Sequence, residues 1–376
     1  MPKNTATDRP LNMLVATPAG GSGQGGIDRI MASLKAELDR CGPADVRVRF
    51  LATRGHGSIL FSWVHLLRFC AAMLVGRMKG DLDLVHINLA SRGSTYRKLV
   101  ISAFARLMGL PYVLHLHGAE YRSFWSARDT VMNGAIRTMF ARAAGIIVLG
   151  SPWKAFVASR VPEAEARIVV VANAVEPPRL PHVGGGENVH ILFLGRIEDR
   201  KGVTQLLKAL SSMADRPGWR ATLAGDGAVD ELRSELQRLG LSGRVDVPGW
   251  QGPDDVARLL STSDVLTLPS LAENLPMSVI EAMAYGLGVV VTPVGAVEDI
   301  VSHEETGLLV PAGDDQALAA ALLRMVDDAD LRRRLGTAAQ AFQQAHLAIG
   351  PYAVQICAVW REAVVRAEKR VEEGQA

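Results

Sequence analysis

The sequence predicts an α/β protein built from two Rossmann-like domains, each a parallel sheet with helices on both faces. Its 376 residues suit two domains of ordinary size. Short apolar segments alternate with helical patterns along most of the chain, which is typical of parallel sheets. A segment with three prolines and three glycines, 176–186, interrupts this alternation once. Two such domains are expected to face each other across a cleft formed at the strand C-termini.

The individual elements follow from the same alternation. In the first half, strands are predicted over 11–17, 46–52, 82–88, 112–117 and 145–149, and helices over 27–40, 58–78, 94–108 and 130–142. In the second half, strands are predicted over 189–195, 220–224, 245–248, 265–269 and 289–292, and helices over 203–214, 229–239, 254–261 and 276–285. The chain is mostly helical from about residue 314 onward. These elements predict an N-terminal domain over 1–178, a C-terminal domain over 187–350, and a final helix over 351–376 that could pack back on the first domain.

Charge is distributed unevenly along the chain. The net charge is +2, but residues 1–180 contain 23 Lys/Arg and 12 Asp/Glu, and residues 181–376 contain 18 and 27. This asymmetry indicates a basic face that meets an anionic partner, unless the first half is simply richer in arginine. No nucleic-acid partner is expected. Three cysteines without paired spacing argue against a disulfide framework or a zinc site, and the polar N-terminus does not resemble a signal peptide. We therefore expect a cytoplasmic protein.

A glycine-rich turn, 20–26, follows the first predicted strand and would let the backbone approach a phosphate closely. Gly21, Gly23 and Gly26 also fit the GxGxxG dinucleotide pattern. An NAD site would need an acidic residue at the end of the second strand, and Thr53 and Arg54 stand there instead. Two interpretations of this turn remain open: it contacts a phosphate of a donor or acceptor substrate, or it is purely structural.

Two further loops carry charged side chains after predicted strands of the second half. Arg196 and Lys201 precede a helix, in a position that suits a diphosphate, although a solvated loop paired with Glu198 and Asp199 would look the same. Glu273 lies in a loop that ends at Pro276, a residue suited to the first turn of a helix. The backbone amides over 274–277 would be free to bind an anion or a hydroxyl. Glu281 follows in the second turn, where apolar neighbours would require it to have a partner.

Together these segments resemble the retaining family 4 glycosyltransferases of the GT-B fold. The resemblance is carried by LFLGRIEDRKG at 192–202, LAGDG at 223–227, VPGW at 247–250, LPSLAENLPMSVIEAMAYG at 268–286, TPVGAVEDIV at 292–301, GLLVPAGD at 307–314, HLHG at 115–118 and VANAVE at 171–176. It spans nearly the whole chain and is strongest from 190 to 314.

The resemblance implies a role for each candidate residue. Arg196 and Lys201 would bind the donor diphosphate, Glu273 the donor hexose and Glu281 the ribose. His117 would lie near the reacting sugar, or else be a satisfied core histidine. The candidate catalytic residues are therefore His117, Arg196, Lys201 and Glu273. The implied donor-binding residues are Gly25, Gly26, Arg196, Lys201, Gly225, Asp226, Glu273, Asn274, Leu275, Pro276 and Glu281.

The implied activity is transfer of a hexose from a UDP- or GDP-linked donor, with retention of configuration, to a glycan or a polyprenyl-diphosphate-linked acceptor. No metal is expected, since Arg and Lys would neutralise the leaving diphosphate; the DxD string Asp81–Asp83 is interpreted as a turn before a strand. No cofactor is expected besides the nucleotide sugar. The alternatives are a nucleotide-sugar epimerase of the same fold, an NAD(P)-dependent oxidoreductase and a non-catalytic sugar-nucleotide binder.

The apolar stretch 59–76 forms a broad stripe that includes Trp63 and Leu67, and basic residues flank it. Arg68 and, on the next helical segment, Lys98 belong to this basic set. Such a helix could lie at an anionic bilayer surface on the inner membrane face. Equally, it could pack on the sheet with its arginines in solvent.

Overall fold

A computed structural model describes residues 9–19, 25–55 and 62–374. The chain divides into two compact units. The first comprises residues 1–172 together with 349–376, and the second comprises residues 173–348. The glycines at 21 and 23 and the start of the predicted helix at 58–61 lie outside the described residues.

The first unit contains a six-stranded parallel sheet. Its strands are β1 (Leu11–Thr17), β2 (Val46–Ala52), β3 (Leu84–Leu89), β4 (Tyr112–Leu116), β5 (Gly145–Val148) and β6 (Ile168–Val170). Its helices are α1 (Gly26–Cys41), α2 (Ser62–Lys79), α3 (Gly93–Leu107), α4 (Tyr121–Ser126), α5 (Thr130–Ala141) and α6 (Ser151–Arg160). The strand order is β2-β1-β3-β4-β5-β6, so the topological switch point of this sheet lies between β1 and β3.

The second unit contains another six-stranded parallel sheet. Its strands are β7 (Val189–Leu194), β8 (Trp219–Ala224), β9 (Val245–Gly249), β10 (Val265–Leu268), β11 (Gly288–Val291) and β12 (Leu308–Leu309). Its helices are α7 (Val203–Ser212), α8 (Val229–Arg238), α9 (Pro253–Thr262), α10 (Met277–Ala284), α11 (Asp315–Asp327) and α12 (Ala329–His346). The order β12-β11-β10-β7-β8-β9 is the Rossmann arrangement, with its switch point between β7 and β10.

The last helix, α13 (Ile349–Glu372), belongs to the first unit and packs on α1 and on β3 to β5. Trp360 is fully buried there, and its indole N–H donates to Nδ1 of His86 on β3 at 2.9 Å. Covering a sheet on both faces explains why every residue of β3 and β7 is buried.

The predicted fold class is confirmed, because both sheets are parallel and alternate with helices. Predicted strand 82–88 begins instead at Leu84, because Asp83 accepts hydrogen bonds from Arg9 and from the amide of Asn12. The sequence pattern does not predict the shortest elements, α4, β6 and β12, or the longer helix α6. Patterns of two to six residues carry too little periodicity to be read, and α6 has little amphipathic character.

The proline- and glycine-rich segment 176–186 forms neither helix nor strand and is held on the second unit. The amide of Val183 donates to Ser261 O at 2.8 Å, and that of Gly185 donates to Asp264 Oδ1 at 2.6 Å. Within the described residues, no helix is both long and apolar enough to cross a bilayer.

Candidate functional site

The main candidate site lies in the second unit, at the C-terminal ends of β7 and β10. These strands are neighbours at the switch point of the sheet, so the loops that follow them must lie side by side. The loop after β7 carries Arg196 and Lys201, and the loop after β10 carries Glu273. In open parallel sheets, ligands bind at this position.

Lys201 and Glu273 form a buried ion pair across these two loops. Lys201 Nζ lies 2.5 Å from Glu273 Oε1, and the two side chains are only 14% and 8% exposed. The hydroxyl of Ser270 donates to the same carboxylate oxygen at 2.8 Å, and Arg200 lies 4.0 Å from Oε2. These contacts hold the carboxylate of Glu273 in one orientation. They also compensate for the free energy that burying its charge away from water would otherwise cost.

Gly202 brings the two loops into contact. Its φ is +73°, and a Cβ built at this position would lie 1.9 Å from the carbonyl oxygen of Pro269. Next to it, the amide of Leu271 donates to the carbonyl of Arg200 at 2.8 Å. Glycine is required here for two reasons, the left-handed conformation and the close backbone approach.

Arg196 is the more accessible cation of the first loop, with its side chain 57% exposed. It pairs with Asp226 at 3.1 Å and with Glu198 at 3.4 Å. Gly225 allows this arrangement, because a Cβ there would lie 1.8 Å from the carbonyl oxygen of Gly195. Arg196, Gly225 and Asp226, three of the implied donor-binding residues, are therefore brought together.

The segment that leads into α10 is buried and firmly held. Asn274, Leu275 and Pro276 are all buried. Asn173 Nδ2 donates to the carbonyl of Leu275 at 3.0 Å, and the amide of Ala296 donates to the carbonyl of Asn274 at 2.8 Å. These carbonyls are therefore used within the protein and hold the segment in place.

Glu281 lies in the second turn of α10 and is partly exposed. Glu273 lies in the loop between β10 and α10, so the two carboxylates belong to consecutive segments of the second unit.

In the first unit, His117 directly follows β4 and is held as a neutral imidazole. The amide nitrogen of Asn88 donates to Ala16 O at 3.2 Å, so the Asn88 atom that faces His117 is the oxygen Oδ1. Since Oδ1 can only accept, His117 Nε2 carries the proton and donates to it at 2.8 Å. Burial, reinforced by His86, lowers the pKa of His117 to about 3. The ring is therefore uncharged at neutral pH, and its Nδ1 is the nitrogen that can accept a hydrogen bond.

His117 belongs to a larger histidine cluster that the sequence did not reveal. Its ring lies 4.0 Å from that of His115, and His115 Nδ1 lies 3.3 Å from His86 Nε2. Since Trp360 donates to the other nitrogen of His86, His86 must donate to His115. Burial lowers the pKa of His86 to about 4 and also holds the pKa of His115 well below its usual value. Alternate positions on β3 and β4 gave the only sequence signal for this cluster.

Gly25 and Gly26 stand at the start of α1 and are exposed. Among the described residues, none lies within 4 Å of a Cβ added at Gly25. The contact of these two glycines with donor phosphates stays a prediction.

The position where an NAD site would place its acid is filled differently. Thr53, after β2, is buried, and its hydroxyl donates to Thr17 O at 2.9 Å and accepts from Lys98 Nζ. Lys98 is 1% exposed, and burial lowers its pKa to about 7. The expectation that Lys98 is a surface cation is therefore wrong. Its spacing with Thr95, Ser102 and Ala105, which are also buried, was the signal that could have shown this.

The DxD string precedes β3, so it lies at the edge of the first sheet where the strands begin, opposite the edge where parallel sheets bind ligands. Asp83 is paired with Arg9 at 2.5 Å, and Asp81 lies 4.0 Å from Arg49. Across the ranges that the structure describes, no group of three or more His, Cys, Asp or Glu is placed to hold a metal ion.

Residues 184–342, nearly all of the second unit, match the family described as glycosyl transferases group 1. This chain belongs to the glycosyltransferases. The glycosyltransferase is 28% identical over 276 residues to the 2-deoxystreptamine glucosyltransferase of Streptomyces kanamyceticus, covering 67% of this chain and 70% of that protein. It is 29% identical over 274 residues to the phosphatidyl-myo-inositol mannosyltransferase of Mycolicibacterium smegmatis, covering 71% and 68%.

Solved structures agree on the fold. The glycosyltransferase superposes on sucrose-phosphate synthase of Thermosynechococcus elongatus with a TM-score of 0.76, at 20% identity, over 94% of this chain and 98% of that one. It superposes on Anabaena HepE in complex with UDP-glucose with a TM-score of 0.74, at 20% identity, over 93% and 99%. The predicted GT-B fold and the membership of the glycosyltransferases are both confirmed. The assignment to the retaining family 4 stays a prediction.

Proposed function

We propose that this glycosyltransferase transfers a hexose from a UDP- or GDP-linked donor to a glycan or lipid-linked acceptor in polysaccharide biosynthesis, with retention of configuration and without a metal ion. The observation that carries the proposal is the Lys201–Glu273 pair at the β7/β10 switch point, joined to a backbone turn that carries Arg196. The named relatives, one a glucosyltransferase and one a mannosyltransferase, support a hexose donor.

Charge neutralisation is the chemical task of this site. As the bond from the sugar to the diphosphate breaks, negative charge accumulates on the departing phosphate. Arg196 and Lys201 are fixed cations that would stabilise that charge without a divalent ion. Arg196 has room to exchange its pairing with Asp226 for a phosphate, because its side chain is more than half exposed.

The two carboxylates would hold the sugars. Glu273 keeps one oxygen for Lys201 and Ser270, and its other oxygen is available to accept a hydroxyl of the hexose. Glu281 would accept the ribose hydroxyls. For His117 we propose contact with the reacting sugar through its unprotonated Nδ1, since its Nε2 is engaged by Asn88. Retention would then follow from displacement on the leaving-group face, with the leaving phosphate deprotonating the acceptor.

A donor screen followed by product analysis tests this function. We expect a thermal shift with UDP- or GDP-sugars, because a ligand at 100 times its Kd stabilises the folded state by about 2.7 kcal/mol. The best donor should then yield a glycoside whose first-formed anomer, observed by proton NMR, matches the donor. EDTA should leave the rate unchanged.

An inverted first product, or activity that EDTA removes, would contradict the mechanism while leaving glycosyl transfer intact. Free epimerised sugar nucleotide would instead support the epimerase alternative, which no observation on the described residues favours. A shift with NAD(H) and none with nucleotide sugars would reject the proposal altogether.

We also propose that α2 places the enzyme on an anionic membrane surface. Its exposed face is apolar, with Trp63 at 58%, Leu67 at 58% and Met78 at 78% exposed. Arg68 and Arg77 stand on the same exposed side. An apolar stripe in solvent with cations beside it is the pattern of an interfacial helix, and each cation near such a surface contributes about 1 kcal/mol.

Leu67→Glu should reduce sedimentation with anionic vesicles by at least 10-fold, because it buries a charge in the interface. The matched control is Val131→Glu, a change at an 83% exposed apolar position on α5. It should bind as the wild type does. Wild-type protein that fails to sediment at low salt would remove the proposal.

A further inference from the structure

A cavity of about 420 Å³ opens in the first unit, and none of the residues that line it has been assigned a role above. It is lined by Arg92, Tyr96, Glu120, Ser123, Phe124 and Arg128. Arg92 lies in the loop after β3, and Glu120 lies in the loop after β4. The cavity is therefore at the C-terminal edge of the sheet, beside the β1/β3 switch point, where parallel sheets bind ligands.

Arg128 is held in place by aromatic neighbours. Its guanidinium lies 4.7 Å from the centre of the Phe124 ring, and its Nε donates to the Phe124 carbonyl at 3.1 Å. A second donor, Nη1, reaches the hydroxyl of Tyr96 at 3.3 Å. An arginine fixed in this way loses little side-chain freedom when it binds an anion.

Arg92 is held by a different device. It has φ of +59° and ψ of −130° at the start of α3, a conformation that L side chains rarely adopt. Its guanidinium lies 3.3 Å from Glu120 and is 79% exposed. Glycine would fit this backbone without strain, so the strained arginine needs a reason, and residues of this kind cluster at binding sites.

The cavity also offers a platform for a ring. Tyr96 is 41% exposed and meets the buried Phe124 edge-on, with centroids 6.3 Å apart. Because Arg128 covers the face of Phe124, the Tyr96 ring is the open aromatic surface. Glu120 can accept from a pair of neighbouring hydroxyls, and the Ser123 hydroxyl, which donates to Glu120 O at 3.0 Å, can accept from one.

We propose that this cavity binds the acceptor, and that the acceptor is a sugar bearing a phosphate or a carboxylate. Two arginines against one glutamate favour the anionic group, Tyr96 stacks on the apolar face of the sugar ring, and Glu120 holds its hydroxyls. The proposal rests on the proposed glycosyl transfer, for which it names the acceptor class.

Direct binding to the full chain tests this site. The donor site is first filled with the nucleoside diphosphate that gives the largest thermal shift, so that phosphate probes cannot bind there. Glucose 1-phosphate, glucuronic acid and glucose are then titrated by calorimetry. We expect at least one anionic probe to bind at least 10-fold more tightly than glucose, and the two anionic probes distinguish a phosphate from a carboxylate. Equal affinity of all three, or no binding, would overturn the proposal.

The variants separate a binding role from a structural one. Arg128→Gln should weaken the anionic probe at least 10-fold. Arg160→Gln is the matched control, since Arg160 also lies over aromatic rings, those of Trp125 and Phe156, but outside the cavity. It should bind the probe as the wild type does.

Arg92→Gly should weaken the anionic probe by a similar factor without lowering the unfolding midpoint, because it relieves the strained conformation. Undiminished binding in Arg92→Gly and Arg128→Gln would overturn the site. The donor thermal shift provides the separate readout: if it persists in these variants, the donor site stands whatever the acceptor result, and if the wild type lacks it, the proposed function fails first.

Discussion

Replacing Lys201 with alanine should lower kcat by about 100- to 1000-fold, because in the proposed mechanism it removes a preorganised cation from the departing diphosphate. The same change leaves Glu273, which is 8% exposed, without its closest cation. Since the Ser270 hydroxyl and Arg200 remain near that carboxylate, we expect a loss of about 3 kcal/mol in the free energy of unfolding. Steady-state kinetics and urea unfolding measure the two effects separately.

The double variant Lys201→Ala/Glu273→Gln distinguishes the two roles of the lysine. Neutralising Glu273 removes the unpaired buried charge, so most of the lost stability should return. Activity should not return, since the cation is still missing and a hexose contact has been weakened as well.

Lys208→Ala is the control for the loss of a lysine, because Lys208 is exposed on α7 and should affect neither quantity. Recovery of activity in the double variant would mean that Lys201 serves only to neutralise Glu273. The assignment of Lys201 to the diphosphate would then be wrong.

Much of this site could be predicted because it follows strand ends. Lys201 and Glu273 are 72 residues apart, yet each follows a strand, and the switch-point rule makes those two strands neighbours. The local sequence patterns predict the strands, and the strand order of the fold then predicts that the loops after β7 and β10 are adjacent. The family resemblance added the choice of these residues among other charged ones.

What could not be predicted depends on side-chain geometry between distant segments. Arg196 pairs with Glu198 in its own loop and also with Asp226, which lies in the loop after β8. The local sequence around Arg196 does not show that the second loop supplies this partner. The cavity in the first unit is a similar case, because Tyr96 comes from the segment after β3 and Glu120 and Arg128 from the segment after β4. They meet only once β3 and β4 are side by side.

Lys98 shows a different limit. Its place among the basic residues that follow the apolar stretch suggests a surface cation, and a lysine is rarely buried. The helical spacing placed it on the inward face of α3, and the Thr53 hydroxyl supplied the partner that makes burial tolerable. Composition and periodicity disagreed at this residue, and periodicity was the better guide.

Gly202→Ala should be among the most damaging single changes in the second unit. Its positive φ alone costs an L residue about 1–2 kcal/mol. The added Cβ would also lie 1.9 Å from the carbonyl oxygen of Pro269, and a backbone atom cannot swing aside as a side-chain end can. The loops after β7 and β10 must therefore separate, which moves Lys201 away from Glu273. Because a displacement of about 1 Å can cost about 100-fold in rate, we expect activity to fall by at least that factor.

Gly240 provides the matched control for this substitution. It has φ of +69°, it is exposed, and an added Cβ would meet nothing within 4 Å. Gly240→Ala should therefore lower the free energy of unfolding only by the cost of the left-handed conformation, about 1–2 kcal/mol, and the variant should keep its activity. The difference between the two variants in urea unfolding isolates the contact between the loops. The opposite outcome is an equal loss of stability in both variants, with activity retained in both. It would show that the loops after β7 and β10 can separate without loss of activity, so the close approach at Gly202 would not be what positions the ion pair.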